Sequence, residues 1–212
     1  RVHSVLEWLY KPENKEEYIN FDRICKEYDK YWIDNWHSNI FVVSTKYSKQ
    51  DKRYTYQQLT EKQLLSYHDK YYSIGKECLS NYYKEFYPFN QSVFGRELEI
   101  TFSVKEYEKE NEPKFDKKSG KCIKEGIPLK EYPFKGIIDR FDKPYEDKWE
   151  IHDYKTGKRS KTSAQAQNDF QLALYQLGVR QNFKDVSEIS LVWQSLRHNT
   201  NITIFHTDKN LY

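Results

Sequence analysis

Methionine is absent from all 212 residues, and cysteine occurs only three times, proline six and glycine seven. Three scattered cysteines, Cys25, Cys78 and Cys122, can build neither a disulfide framework nor a four-ligand structural zinc site, and they suit a reducing, intracellular setting. Long apolar runs are missing too. Nothing approaches the ~18 uninterrupted apolar residues of a spanning helix, mean hydropathy is −1.00, and no basic-then-apolar leader opens the chain. Membrane insertion is therefore not expected. Position 1 is not methionine and residues 2–10 already read as helix, so the chain is expected to be part of a longer protein. Excess charge is small, with 35 Lys+Arg against 32 Asp+Glu for a net +3, so any polyanion surface must come from basic residues clustered on one face. Aromatic side chains are abundant, at 17%. They supply enough buriable surface to exclude a disordered chain and to predict a soluble globular domain.

Val2, Leu6 and Leu9 form one apolar stripe and predict an opening helix. A second helix is expected over roughly Lys15 to Trp32, with Phe21, Ile24 and Tyr28 on one face. Lys46 to Tyr56 reads as a loop. Thr60-Glu61-Lys62-Gln63 has the spacing of a capping box and opens a long helix to about Phe86, which Pro88 stops. Ser92 to Lys105 alternates apolar and polar residues as a half-buried strand does. The charged segment Glu106 to Lys130 reads as a solvated excursion, mobile near its tip. Strands are expected at Phe134 to Phe141 and Trp149 to Tyr154, then a helix over Ala164 to Asn182 with an apolar ridge of Phe170, Leu174 and Leu177. A final hairpin joins Glu188 to Leu196 and Asn201 to His206 through Arg197-His198-Asn199-Thr200. Helices, then strands, one helix and more strands predict an α/β fold, a central mixed sheet flanked by helices. The expected division is a helical region, residues 1–90, packed on a core of residues 91–212.

The chemistry gathers around Gly136-Ile137-Ile138-Asp139-Arg140 and Asp153-Tyr154-Lys155-Thr156-Gly157-Lys158. Asp139 ends one apolar strand and Asp153 the next. Residues i and i+2 of a strand share a face, so Asp153 and Lys155 project together. If the strands pair, Asp139 joins them, and two carboxylates beside an ammonium can hold a divalent cation and orient a water. A surface ion pair is the competing reading. Gln171 and Tyr175 share one face of the following helix at i, i+4, where they either contact a phosphate or base or simply border the core. His3, with Glu7 one turn on, is either a ligand or an ordinary helical histidine.

Together, Val-His-x-x-Leu-Glu at residues 2–7, Gly-x-x-Asp-Arg at 136–140, Asp-Tyr-Lys-Thr-Gly-Lys at 153–158 and Gln-x-x-x-Tyr at 171–175 resemble RecB-type nucleases of the PD-(D/E)XK superfamily. That group includes the nuclease domains of RecB and AddB helicase-nucleases and the CRISPR adaptation exonucleases. The resemblance implies a restriction-endonuclease-like core and a divalent-metal-dependent deoxyribonuclease, acting as an exonuclease in DNA repair, recombination or replication. It implies a Mg²⁺ or Mn²⁺ held by His3, Asp139, Asp153 and the backbone carbonyl of Tyr154, with Asp139, Asp153 and Lys155 catalytic. Lys155 would position or deprotonate the attacking water, and Gln171 and Tyr175 would lie near the DNA backbone. An imidazole among oxygen ligands suits Mn²⁺ better than Mg²⁺. Many members use Glu at the position of Asp153. Many also hold an iron-sulfur cluster, whose cysteine spacing this chain lacks, although flanks of a longer protein could supply it.

Further candidates are Glu99, with Glu97 on the same face and both facing solvent as the alternative, and also Glu7 and Arg140. Lys155, Lys158, Arg159 and Lys161 form a basic run that either contacts DNA phosphates, Lys158 and Arg159 foremost, or is a solvated loop. Tyr18, Tyr28, Tyr31, Tyr67, Tyr71, Tyr72, Tyr82 and Tyr83 either stack on unpaired bases or margin a core. Expected partners are DNA and a helicase or other DNA-processing subunit. The competing functions are an inactive nucleic-acid-binding module of the same fold and an RNA endonuclease.

Overall fold

The computed structural model describes residues 1–15, 17–37, 39, 41–44, 55–183 and 186–211, with backbone alone for residues 41–44, 55–58 and 210. In chain order the elements are α1 (Val2–Leu9), α2 (Phe21–Asn35), β1 (Phe41–Ser44), β2 (Thr55–Gln58), α3 (Glu61–Phe86), β3 (Val93–Tyr107), β4 (Lys114–Phe115) and β5 (Cys122–Lys124). They continue with β6 (Pro128–Asp142), β7 (Lys148–Lys155), α4 (Ser163–Gln167), α5 (Phe170–Asn182), β8 (Glu188–Ser195) and β9 (Thr200–Ile204). The main sheet has the order β3-β6-β7-β8-β9. Among the described strands only β7 and β8 pair in parallel, because α4 and α5 carry the chain across between them. This is the mixed sheet flanked by helices that the patterning predicted.

Two cores meet across that sheet. On one side, Leu172, Leu177 and Val179 of α5 pack on Ile100, Ile138, Phe141, Ile151 and Leu191. On the other, α1, α2 and α3 bury Val5, Leu6, Ile24, Tyr28, Leu79 and Tyr82 against one another, with Tyr154 and Leu196 entering from the sheet. The Thr60–Gln63 capping box forms in both directions, and Asn20 caps α2 by accepting from the Arg23 amide at 3.0 Å.

Four expectations are corrected. The second helix begins at Phe21, since Asn20 supplies its cap; among the described residues before it lies a 3₁₀ turn, Pro12–Asn14. The expected loop Lys46 to Tyr56 lies outside the described residues except for positions 55 and 56, which belong to β2. The excursion is shorter and better anchored than its charge suggests. β6 starts at Pro128, β4 pairs with β5, and the C-terminal turn holds the hairpin through Cys122 N–H to Asp208 (3.1 Å) and Lys209 N–H to the Gly120 carbonyl (3.1 Å). The helix expected over Ala164 to Asn182 is two, because Asp169 starts a new one by accepting from the Leu172 amide at 3.1 Å. Phe170 is consequently 84% exposed rather than part of a ridge.

Candidate active site

β6 and β7 pair through Asp142↔Glu150, Phe141↔Ile151 and Arg140↔His152, and the described pairing then stops. Asp139 sits at this fork. Its Oδ2 accepts the backbone N–H of Tyr154 at 2.7 Å, bridging the gap that the ladder leaves. Ile138 and Phe141 both enter the α5-side core, though three residues apart, so the strand's two-residue alternation breaks at Asp139. The neighbouring strand is irregular at the same level. Arg96↔Arg140 and Leu98↔Ile138 flank Glu97, whose φ of +42° lies in the left-handed region. A non-glycine residue held there is strained, and such strain concentrates at functional sites.

Above the fork lies α1. His3 Nδ1 is 3.4 Å from Asp139 Oδ1, and His3, Glu97 and Asp139 each offer a ligand atom within 4.8 Å of the others. Burial works against the charged form of His3, but its hydrogen bond to Asp139 and the charges of Asp139 and Glu97 prevail and raise its pKa. Glu97 is also raised, by burial and then by Asp139. An imidazole and two carboxylates within reach of one point are a fitting donor set for a divalent cation.

Asp153 and Lys155 project together from β7, with Nζ 2.9 Å from Oδ1 and 2.6 Å from Oδ2. Burial pushes the Asp153 carboxyl up to about 6 in spite of Lys155, and Asp139 adds to the rise. The ammonium also donates to Gln171 Oε1 at 3.1 Å, and Gln171 donates to the Tyr175 hydroxyl at 2.9 Å. Gln171 and Tyr175 thus belong to the Lys155 hydrogen-bond chain. Tyr175 lies directly over Gly136, where a Cβ would stand 2.9 Å from its ring. The glycine of Gly-x-x-Asp-Arg is what lets α5 approach β6.

Other candidates fall elsewhere. Glu99 pairs with Lys135 at 2.6 Å, and Glu97 takes the place at the cluster. Arg140 is only 1% exposed and cannot meet a substrate. Its guanidinium is surrounded by Tyr10, Tyr82 and Phe86 and ion-paired with Asp142, Nε to Oδ1 at 3.1 Å. Glu7 is partly exposed on α1 and is not among the three cluster residues. The basic run divides. Lys158 lines the same cleft as His3, whereas Arg159 and Lys161 line a separate depression beside Trp193, and Lys161 is ion-paired with Asp169. Among the tyrosines, Tyr28 and Tyr82 are buried and Tyr72 bonds to Asp29. Tyr71 is half exposed and lines the cleft.

Trp193 carried no signal in the sequence. Lys155 and Lys161 hold their ammonium groups 4.7 and 4.0 Å from its ring centre, within cation–π range. It reaches them because it stands opposite Asp153 in the β7–β8 register.

The model of the PD-(D/E)XK nuclease superfamily matches residues 1–209. The chain belongs to that superfamily: it is a metal-dependent nuclease, a phosphodiester hydrolase. No curated protein matches it. Among the described residues no helix is long and apolar enough to cross a membrane.

Proposed function

We propose that this nuclease acts on DNA, as an exonuclease of the RecB-like type serving repair or recombination, with Mn²⁺ or Mg²⁺ at the fork. The observation that carries the reading is the charge imbalance there. Glu97 and Asp139 lie within ligand reach of each other and of His3, Asp153 is near enough for the charge of Asp139 to raise its pKa, and Lys155 is the permanent cation paired with Asp153. His3, Glu97, Asp139 and Asp153, with the Tyr154 carbonyl, would hold the ion. The imidazole in that set favours Mn²⁺. When bound, a divalent cation offsets charge developing on the scissile phosphate and acidifies water. Lys155, steered by Asp153 and Gln171, would orient the attacking water and face the phosphate. Asp139 would brace the geometry through the Tyr154 amide. The choice of DNA is supported by the Gly136–Arg140 and Gln171–Tyr175 motifs, which resemble the DNA-processing members.

The test uses end-labelled linear DNA and RNA with Mn²⁺, Mg²⁺ or EDTA. Metal-dependent cleavage of DNA from an end is expected. Lys155→Ala should lower turnover at least ~10²-fold while leaving DNA binding largely intact. Preferential cutting of RNA would refute the DNA assignment. Inactivity with every metal, persisting in the full-length protein, would favour a binding module.

A further inference from the structure

A cleft of about 1040 Å³ opens beside the metal cluster, bounded by α1, the end of α2, α3 and the loop after β7. His3 lines it and also belongs to the cluster, so the two are continuous. Thr156, Gly157 and Lys158, directly after Lys155, form its rim.

Its chemistry is two-sided. Arg1, Lys70, Lys158 and Arg197 contribute cations, and no acidic side chain lines it among the described residues. The chain's net charge is only +3, so this is a local concentration of one sign and suits a polyanion. The aromatic surface comes from Trp36 and Tyr71. Trp36 is stacked on Trp32 at 5.5 Å and 19° between planes, and Tyr71 on Tyr67 at 5.8 Å and 25°. Each ring is backed by another, so little freedom remains to be lost when a planar partner arrives. Tyr71 nevertheless stays 48% exposed, more than a residue whose work is to fill a core.

A duplex presents phosphates outward but keeps its bases stacked on one another. Only an unpaired strand offers phosphates and free base faces to one cleft. We propose that this cleft is a subsite for single-stranded nucleic acid, in which unpaired bases stack on Tyr71 and Trp36 while Lys158 and Arg197 contact the flanking phosphates. The subsite delivers one strand to the fork and makes the enzyme prefer single strands to duplex. The inference rests on the nuclease reading of the site, since it names the form of that site's substrate.

Binding in EDTA separates the two. Fluorescence anisotropy with Lys155→Ala as background would compare a labelled single strand, its duplex and a single strand with abasic residues. The single strand should bind at least ~10-fold more tightly than the duplex or the abasic strand. Tyr71→Ala should remove most of that advantage and Tyr71→Phe keep it, with circular dichroism confirming the fold of each. Equal affinity for single strand and duplex would overturn the proposal. So would a folded Tyr71→Ala that binds the single strand normally. If neither this chain nor the full-length protein cuts with any metal, the nuclease reading fails, yet these affinities still decide whether the cleft takes an unpaired strand.

Discussion

Two clusters of one histidine and two carboxylates lie three residues apart along β6, at Asp139 and Asp142, and they are built for opposite ends. His3, Glu97 and Asp139 meet at the open fork. Asp142, Glu150 and His152 meet where β6 and β7 are fully paired. By ligand spacing alone each could hold a metal ion. In the paired cluster, however, Arg140 Nε is 3.1 Å from Asp142 Oδ1, and its Nη2 is 3.1 Å from both ring nitrogens of His152. His152 Nε2 is 3.2 Å from Asp142 and 3.3 Å from Glu150. The hydrogen bond to His152 lowers the Glu150 pKa. Tyr10 and Tyr82 bond to the remaining face of the guanidinium. A buried cation already occupies that cluster, whereas the fork has carboxylates in excess and a solvent-facing cleft. Charge balance and access, rather than ligand type, separate a structural network from a metal site.

The largest expected effect comes from the paired cluster. Arg140→Met leaves Asp142 without its cation and should lower stability by about 3–5 kcal/mol in urea denaturation. A loss below ~1 kcal/mol would show that the network is not held by the guanidinium.

Next in size is a pH effect from Asp153. Its folded value of about 6 lies above the ordinary 3.8, so between those values the folded, metal-free protein keeps a proton that the unfolded chain has released. That contribution is full below about 3.8 and is lost as pH rises through about 6. Denaturation of the chelated protein should therefore show stability falling across that window by on the order of 3 kcal/mol. Asp153→Asn should flatten the slope, and an unchanged slope would count against a buried, proton-holding Asp153.

Metal addition sharpens the contrast directly. Mn²⁺ at about 100 times its Kd should stabilise the wild type by about 2.7 kcal/mol, seen as a rise in Tm. His3→Ala or Asp139→Ala should abolish the rise, while His152→Ala, though less stable at the start, should retain it. The reverse pattern would move the metal to the paired cluster. The smallest effect is expected from Gly136→Ala, about 1–2 kcal/mol from overpacking against Tyr175, with activity falling because the Gln171–Tyr175 chain to Lys155 shifts.

Much of this was legible along the chain. Alternation marked β3, strands were expected where β6 and β7 lie and a hairpin where β8 and β9 lie, and the capping box marked the start of α3. Asp153 and Lys155 were readable as partners because a two-residue period leaves them no choice of face. Glu97 and Glu99 share that same arithmetic, and there it could not decide: the left-handed backbone at Glu97 and the Lys135 partner of Glu99 depend on the neighbouring strand. Arg140 looked like a site residue for being next to Asp139. The break in alternation leaves both on the α1-facing side of the sheet, but Asp139 ends at the fork while Arg140 is enclosed in a buried tyrosine cage.

By itself the sequence determined the mixed α/β class, the pairing of Asp153 with Lys155 and the motif order that marks the superfamily, because periodicity and spacing are properties of neighbours along the chain. Which of two histidine-carboxylate clusters stays open, that Glu97 rather than Glu99 completes it, and that a basic, aromatic cleft adjoins it were decided only by the tertiary structure. Those outcomes depend on burial, on charge balance and on where two strands stop pairing, and each requires residues far apart in sequence to meet.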